Sequence, residues 1–180
     1  MKVYTFLTDG FETVEALAVI DILRRAGIEV ETVSITGNEQ VCSAQNITVT
    51  ADTLFKAQPV RKEDVLFLPG GPGHKQYNEC KPLLELLEKH HAEGGRIAAI
   101  CAAPSALGIL GILEGKNATC YPGFEDQLKG AKFKAVPVVT DGNITTSRGM
   151  GTSILLGLEL VKLLKDEETS KKLAEAIMMP

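Results

Sequence analysis

The chain has 180 residues, 44% of them hydrophobic, which is enough to bury a sizeable core and suggests one domain over residues 1–180. A net charge of −4 with no basic run argues against a nucleic-acid surface. The longest apolar stretch, Ala102 to Leu113 interrupted only by Pro104 and Ser105, is too short to span a membrane.

Val3 to Leu7 reads as a first strand, and Asp9 and Glu12 break the apolar start too early for a secretory signal. Glu12 to Ala26 reads as a helix stopped by Gly27. At 100° per residue its Ala16, Val19, Ile20, Ile22, Leu23 and Ala26 share one apolar face, with Asp21, Arg24 and Arg25 opposite. Glu29 to Ile35 is a second strand, followed by a turn at Gly37-Asn38 and a small hairpin of Gln40 to Cys42 with Asn46 to Val49. Val65 to Leu68 is a buried strand that ends in Pro69-Gly70-Gly71, and Pro82 to Ala92 is a helix. Ile97 to Ile100 is another strand, after which Pro104 opens a helix. A further strand lies near Ala118, and Val136 to Thr140 and Ile144 to Ser147 flank the hairpin signal Asp141-Gly142-Asn143. Thr152 to Leu164 and Glu167 to Met178 close the chain as helices. This alternation predicts an α/β fold with a mostly parallel sheet covered on both faces. Sites in such folds lie at the carboxyl ends of the strands, where the turn after Leu7, the Pro69-Gly70-Gly71 loop and Cys101 converge.

Cys101 carries the chemical signal. It sits between a short apolar run and a helix-opening proline, with Ala99, Ala102 and Ala103 around it. Small neighbours are what a nucleophile elbow requires, because its tight strand-to-helix turn admits nothing larger. The following helix N-terminus is expected to lower the thiol pKa. A buried structural cysteine at a strand end is the alternative. Glu12 and Glu15 point with the apolar face of the first helix. For Glu12, Asp9-x-x-Glu12 fits a capping arrangement. Glu15 lies beyond the cap, so it is either a carboxyl held near neutral that can bond a thiolate or move a proton, or a carboxylate at the rim of the helix contact. The N–H groups of Gly71 and Ala102 could pair as an oxyanion hole, although Gly70-Gly71 also suits an ordinary strand-exit turn. His74 reads better as an exposed loop residue than as part of the cleft, and His90 and His91 as helix-end residues that complement the dipole. With only these three histidines, and with Cys42, Cys80, Cys101 and Cys120 far apart, no metal or other cofactor is expected. The cysteines read as free thiols in a reducing cytoplasm.

Taken in order, Glu12-Thr13-Val14-Glu15-Ala16, Arg24-Arg25-Ala26-Gly27-Ile28, Leu68-Pro69-Gly70-Gly71, Ala98-Ala99-Ile100-Cys101-Ala102-Ala103-Pro104 and Thr146-Ser147-Arg148-Gly149-Met150-Gly151-Thr152 carry a specific likeness over nearly the whole chain. The sequence resembles the DJ-one/ThiJ/PfpI superfamily, most closely the branch containing the Parkinsonism-associated protein deglycase and its bacterial relatives. The resemblance implies a flavodoxin-like three-layer sandwich and a homodimer. It implies Cys101 as an oxidisable nucleophile, Glu15 as its protonated partner, and the backbone of Gly71 and Ala102 as oxyanion donors. Cys42 matches a family cysteine outside the active site. Three positions depart from the family pattern. Tyr121 stands where many members carry a histidine before Pro122, Ala102 stands where the proteases carry one, and Met150 replaces a common proline. Peptidase activity is therefore not expected. Two functions follow from the resemblance. One is an enzyme that attacks glyoxal, methylglyoxal or a glycated adduct through a Cys101 hemithioacetal. The other is a redox sensor in which Cys101 is oxidised to sulfinate.

Overall fold

The structure, a computed structural model, describes residues 1–56 and 59–179. In chain order the elements are β1 (Val3–Leu7), α1 (Thr13–Arg25), β2 (Val30–Ser34), β3 (Gln40–Cys42), β4 (Thr48–Thr50), β5 (Thr53–Leu54) and β6 (Val65–Leu68). They continue with α2 (Lys75–Glu79), α3 (Lys81–Ala92), β7 (Arg96–Ile100), α4 (Pro104–Ile109), β8 (Asn117–Ala118) and β9 (Lys132–Phe133). The chain then forms β10 (Val138–Asp141), β11 (Ile144–Ser147), α5 (Ser153–Leu164) and α6 (Glu167–Ala176). Seven strands make one sheet in the order β10-β11-β7-β6-β1-β2-β5, and only β10 runs antiparallel.

The two-residue period of the central strands divides the core. Val65 and Phe67 of β6 face the cluster that holds Val19, Ile20 and Leu23 of α1 and Leu156, Leu160 and Val161 of α5. Leu66 and Leu68 face Leu83 and Leu87 of α3 and Ala106 and Leu107 of α4. Helices therefore cover both faces, and the expected flavodoxin-like sandwich is observed. The predicted face of α1 is also observed: Ala16, Val19, Ile20, Ile22 and Leu23 are buried, while Asp21, Arg24 and Arg25 are exposed. Strand order reverses at β1, with β2 on one side and β6 on the other. The carboxyl ends of β1, β6 and β7 thus open a crevice at the switch point.

Several boundaries differ from expectation for local reasons. Glu12, not Asp9, caps α1: its carboxylate accepts the Glu15 N–H at 2.7 Å, whereas Asp9 accepts the N–H of Cys42 at 2.9 Å. The strand near Ala118 has two residues and pairs with β9 outside the main sheet. Helix α6 ends at Ala176, because Met178 adopts a left-handed φ of 58° that no helix continues. The five-residue α2 is too short to show a period in sequence. No helix among the described residues is long and apolar enough to cross a membrane.

Candidate active site

Cys101 occupies the left-handed region at φ 65°, one of three non-glycine residues there among those described. Such a conformation costs on the order of 1–3 kcal/mol and persists only where its surroundings hold it. Here the Cys101 N–H donates to the Ser147 carbonyl at 3.0 Å, and its own carbonyl accepts the Tyr121 N–H at 2.8 Å. The backbone is thereby pinned between β11 and the loop after β8, directly above the end of β7. Ala99 and Ala103 are fully buried around the turn.

The Pro69-Gly70-Gly71 loop packs against this elbow so closely that only glycine fits. A Cβ on Gly70 would lie 2.5 Å from the Cys101 Cβ and 2.5 Å from Glu15 Oε2. Gly71 has φ 96°, and a Cβ there would lie 2.4 Å from the Glu12 nitrogen. Adding left-handed strain to that overlap, Gly71→Ala is expected to destabilise the fold by about 2–4 kcal/mol. A urea midpoint unchanged from wild type would refute it.

These close approaches serve a hydrogen-bond network. The Gly70 N–H donates to Glu15 Oε2 at 2.9 Å, and the Gly70 carbonyl accepts the Glu12 N–H at 2.9 Å. The N–H groups of Gly71 and Ala102 favour the charged form of the Cys101 sulfur, and the Glu15 carboxyl beside it opposes that charge. Sequence reasoning places Cys101, Glu15, Gly71 and Ala102 at one site, and the structure brings all four together. Glu15 is 1% exposed, so it is no rim carboxylate.

The electrostatics depart from the expected low thiol pKa. Burial, foremost, together with the charge and hydrogen bond of Glu15, pushes the Cys101 thiol up to about 12 against the pull of the Gly71 and Ala102 N–H groups. Helix α4 has only six residues, and its dipole does not overcome these effects. Burial likewise raises the Glu15 carboxyl to about 7. Between these values the two groups share one negative charge and one proton. The charge sits on sulfur when the proton sits on Glu15, which removes the repulsion and supplies a donor.

A cavity of about 450 Å³ opens over the sulfur, lined by Glu15, His74, Cys101, Tyr121, Phe124 and Met150 among others. Tyr121 is half exposed at this cavity, and its ring packs beside Gly149. His74 is not an exposed loop residue. It is 7% exposed, its Nδ1 lies 2.9 Å from the Gly71 carbonyl, and its ring meets the Phe124 face edge-on at 5.2 Å. His90 and His91 lie in the last turn of α3, as expected. Burial holds both below the usual imidazole range, His90 pairs with the Asp64 carbonyl, and His91 pairs with Asn143. Tyr77 escaped the sequence reading altogether. Its buried hydroxyl lies 3.0 Å from the Phe6 carbonyl and 2.9 Å from that of Pro69, joining the ends of β1 and β6. A lone aromatic in the polar run Lys75-Gln76-Tyr77-Asn78-Glu79 was the available signal.

A mostly parallel α/β sandwich with a strained cysteine above the sheet and a buried carboxyl beside it defines a class of nucleophile-elbow proteins. Within that class this chain belongs to the DJ-1/PfpI family, whose model matches residues 1–163. It is 38% identical to Protein DJ-1 homolog B of Arabidopsis thaliana over 99% of its own length. It spans only 41% of that protein and 45% of the related homolog A. It is 30% identical to the Caenorhabditis elegans protein named glutathione-independent glyoxalase DJR-1.2, covering 93% of this chain and 90% of the relative. A solved DJ-1 superfamily protein from Salmonella typhimurium superposes with a TM-score of 0.93 at 32% identity, over 99% of this chain and 98% of the other.

Proposed function

We propose that the protein is a cofactor-independent glyoxalase that converts small reactive dicarbonyls, such as methylglyoxal, into hydroxy acids. One observation carries this reading: a strained Cys101 sulfur meets two backbone N–H groups and a buried carboxyl that titrates near 7, all facing a cavity large enough for a three-carbon substrate. The likeness to a relative named as a glutathione-independent glyoxalase supports it. The Cys101 thiolate adds to the aldehyde carbon, and the new oxyanion takes its proton from Glu15. The N–H groups of Gly71 and Ala102 stabilise that oxyanion as it forms. The hemithioacetal then rearranges to a thioester, and water releases the hydroxy acid. The reaction is assayed by lactate formation from methylglyoxal without glutathione, and no lactate from the intact protein would sink the reading. The homodimer implied by the family likeness has a suitable apolar face in Val14 and Leu17 of α1 and Ile154 and Leu155 of α5, all exposed.

A second reading, a redox sensor, rests on the same two N–H groups, which would donate to sulfinate oxygens on Cys101. In mild peroxide, Cys101 is expected to gain two oxygens before Cys42, Cys80 or Cys120. Peptide mass spectrometry finding another cysteine oxidised first would refute this.

A further inference from the structure

We propose that His74 is the base that moves the carbon-bound proton in this reaction, an inference that rests on the glyoxalase reading. His74 ends a short 3₁₀ turn, Pro72–His74, and lines the same cavity as Cys101. The Gly71 carbonyl accepts the His74 backbone N–H at 3.0 Å and lies 2.9 Å from Nδ1. A carbonyl oxygen has no proton to give, so Nδ1 carries the ring hydrogen and Nε2 holds the lone pair. Nε2 has no hydrogen-bond partner among the described residues, yet it is not among the polar atoms sealed from solvent. Its lone pair is therefore accessible, on a residue that lines the cavity with Cys101.

The ring is held in place. Phe124 packs against it, the Gly73 N–H donates to the Gly10 carbonyl at 3.0 Å, and Gln76 Nε2 donates to the Asp9 carbonyl at 2.8 Å. The groups around it are Lys75 on its own segment, Glu12 and Glu15 from α1, Cys101 from the elbow and Tyr121 from the loop after β8. Burial first, and then Lys75, keeps the imidazole below its usual range, so at neutral pH it is uncharged and able to accept a proton.

The reaction needs such a group. Glu15 gives its proton to the new oxyanion in the preceding step, and His74 is the base at the cavity that has taken no part up to that point. Tyr121, at the same cavity, offers a phenol and no imidazole. After the sulfur bonds to the aldehyde carbon and that oxygen is protonated, His74 Nε2 withdraws the hydrogen of the same carbon as a proton. The freed electron pair forms an enediolate, and the hydroxyl proton passes to the neighbouring oxygen. His74 then returns its proton to the second carbon, leaving a hydroxyacyl thioester on Cys101. Water cleaves the C–S bond and releases the acid and the thiol. One carbon is oxidised and its neighbour reduced, so no outside redox partner is consumed.

Two variants of the full chain test this. His74→Asn keeps an amide donor for the Gly71 carbonyl but offers no base, and His74→Ala leaves room for added imidazole. Lactate formation from methylglyoxal is expected to lose about 10²–10⁴-fold in kcat in both variants, with KM little changed. Imidazole in the buffer should restore His74→Ala, with a rescue that follows the unprotonated fraction of the imidazole. A wild-type kcat in His74→Asn, or a His74→Ala defect that imidazole does not relieve, overturns the assignment while leaving the glyoxalase reading intact. Absence of lactate from the wild-type protein overturns both.

Discussion

Replacing Cys101 by serine is expected to lower lactate formation from methylglyoxal by about 10³-fold or more while the fold survives. The magnitude follows from losing the covalent route: removal of a nucleophile from a coupled set costs about as much as losing the whole set. A serine hydroxyl ionises far less readily than a thiol, and the buried Glu15 beside it makes a second negative charge still less favourable. Serine keeps the small side chain that the Gly70 approach demands, and the backbone bonds to Ser147 and Tyr121 do not involve the sulfur. Stability should therefore change by no more than about 1 kcal/mol, as for other near-isosteric replacements. Retention of more than a tenth of the wild-type rate in a correctly folded Cys101→Ser protein would remove Cys101 from the mechanism.

Glu15→Gln is expected to flatten the pH dependence of stability between about 4.5 and 7 and to lower turnover by about 10²–10⁴-fold. The direction follows from linkage. The folded-state carboxyl titrates near 7 against 4.5 for the ordinary group, so the folded protein keeps a proton that the unfolded chain releases. Stability from this group is then fully present below about pH 4.5 and is lost as pH rises toward 7, amounting to roughly 3 kcal/mol at 1.36 kcal/mol per pKa unit. Glutamine accepts the Gly70 N–H as the carboxyl does but never ionises, so above pH 7 the variant should be the more stable protein. Glu15→Leu should lose the same slope while leaving the Gly70 N–H unpaired, at a cost of about 1–3 kcal/mol. Turnover in the wild type should rise through pH 7, as the pair gives up its first proton, and then stay level. Unfolding midpoints between pH 4 and 9 decide the matter. A wild-type slope that persists in Glu15→Gln would mean that another group titrates there.

Much of the architecture could be read from the chain because its signals are periodic or local. The alternation of strand and helix, the apolar face of α1 and the two faces of β6 all arise from spacings within one segment, which the backbone geometry converts into burial. The small residues around Cys101 are a local signal too, because the steric demand of a tight turn acts on immediate neighbours. Only the tertiary structure decided what depends on groups far apart in sequence. The Glu15 carboxyl meets the Gly70 N–H 55 positions away, and burial in the assembled loop raises it to about 7 against the pull of that same N–H. The thiol expected to be acidic from its helix N-terminus is pushed the other way by burial and by Glu15, neither of which lies near it in sequence. His74 looked like a loop residue because its neighbours are polar and glycine-rich, yet Phe124 and the docked Pro72–His74 turn fold it into the cavity wall. A residue's type and its place in an element follow from covalent neighbours, whereas its ionisation and its partners follow from desolvation, which only the assembled layers impose.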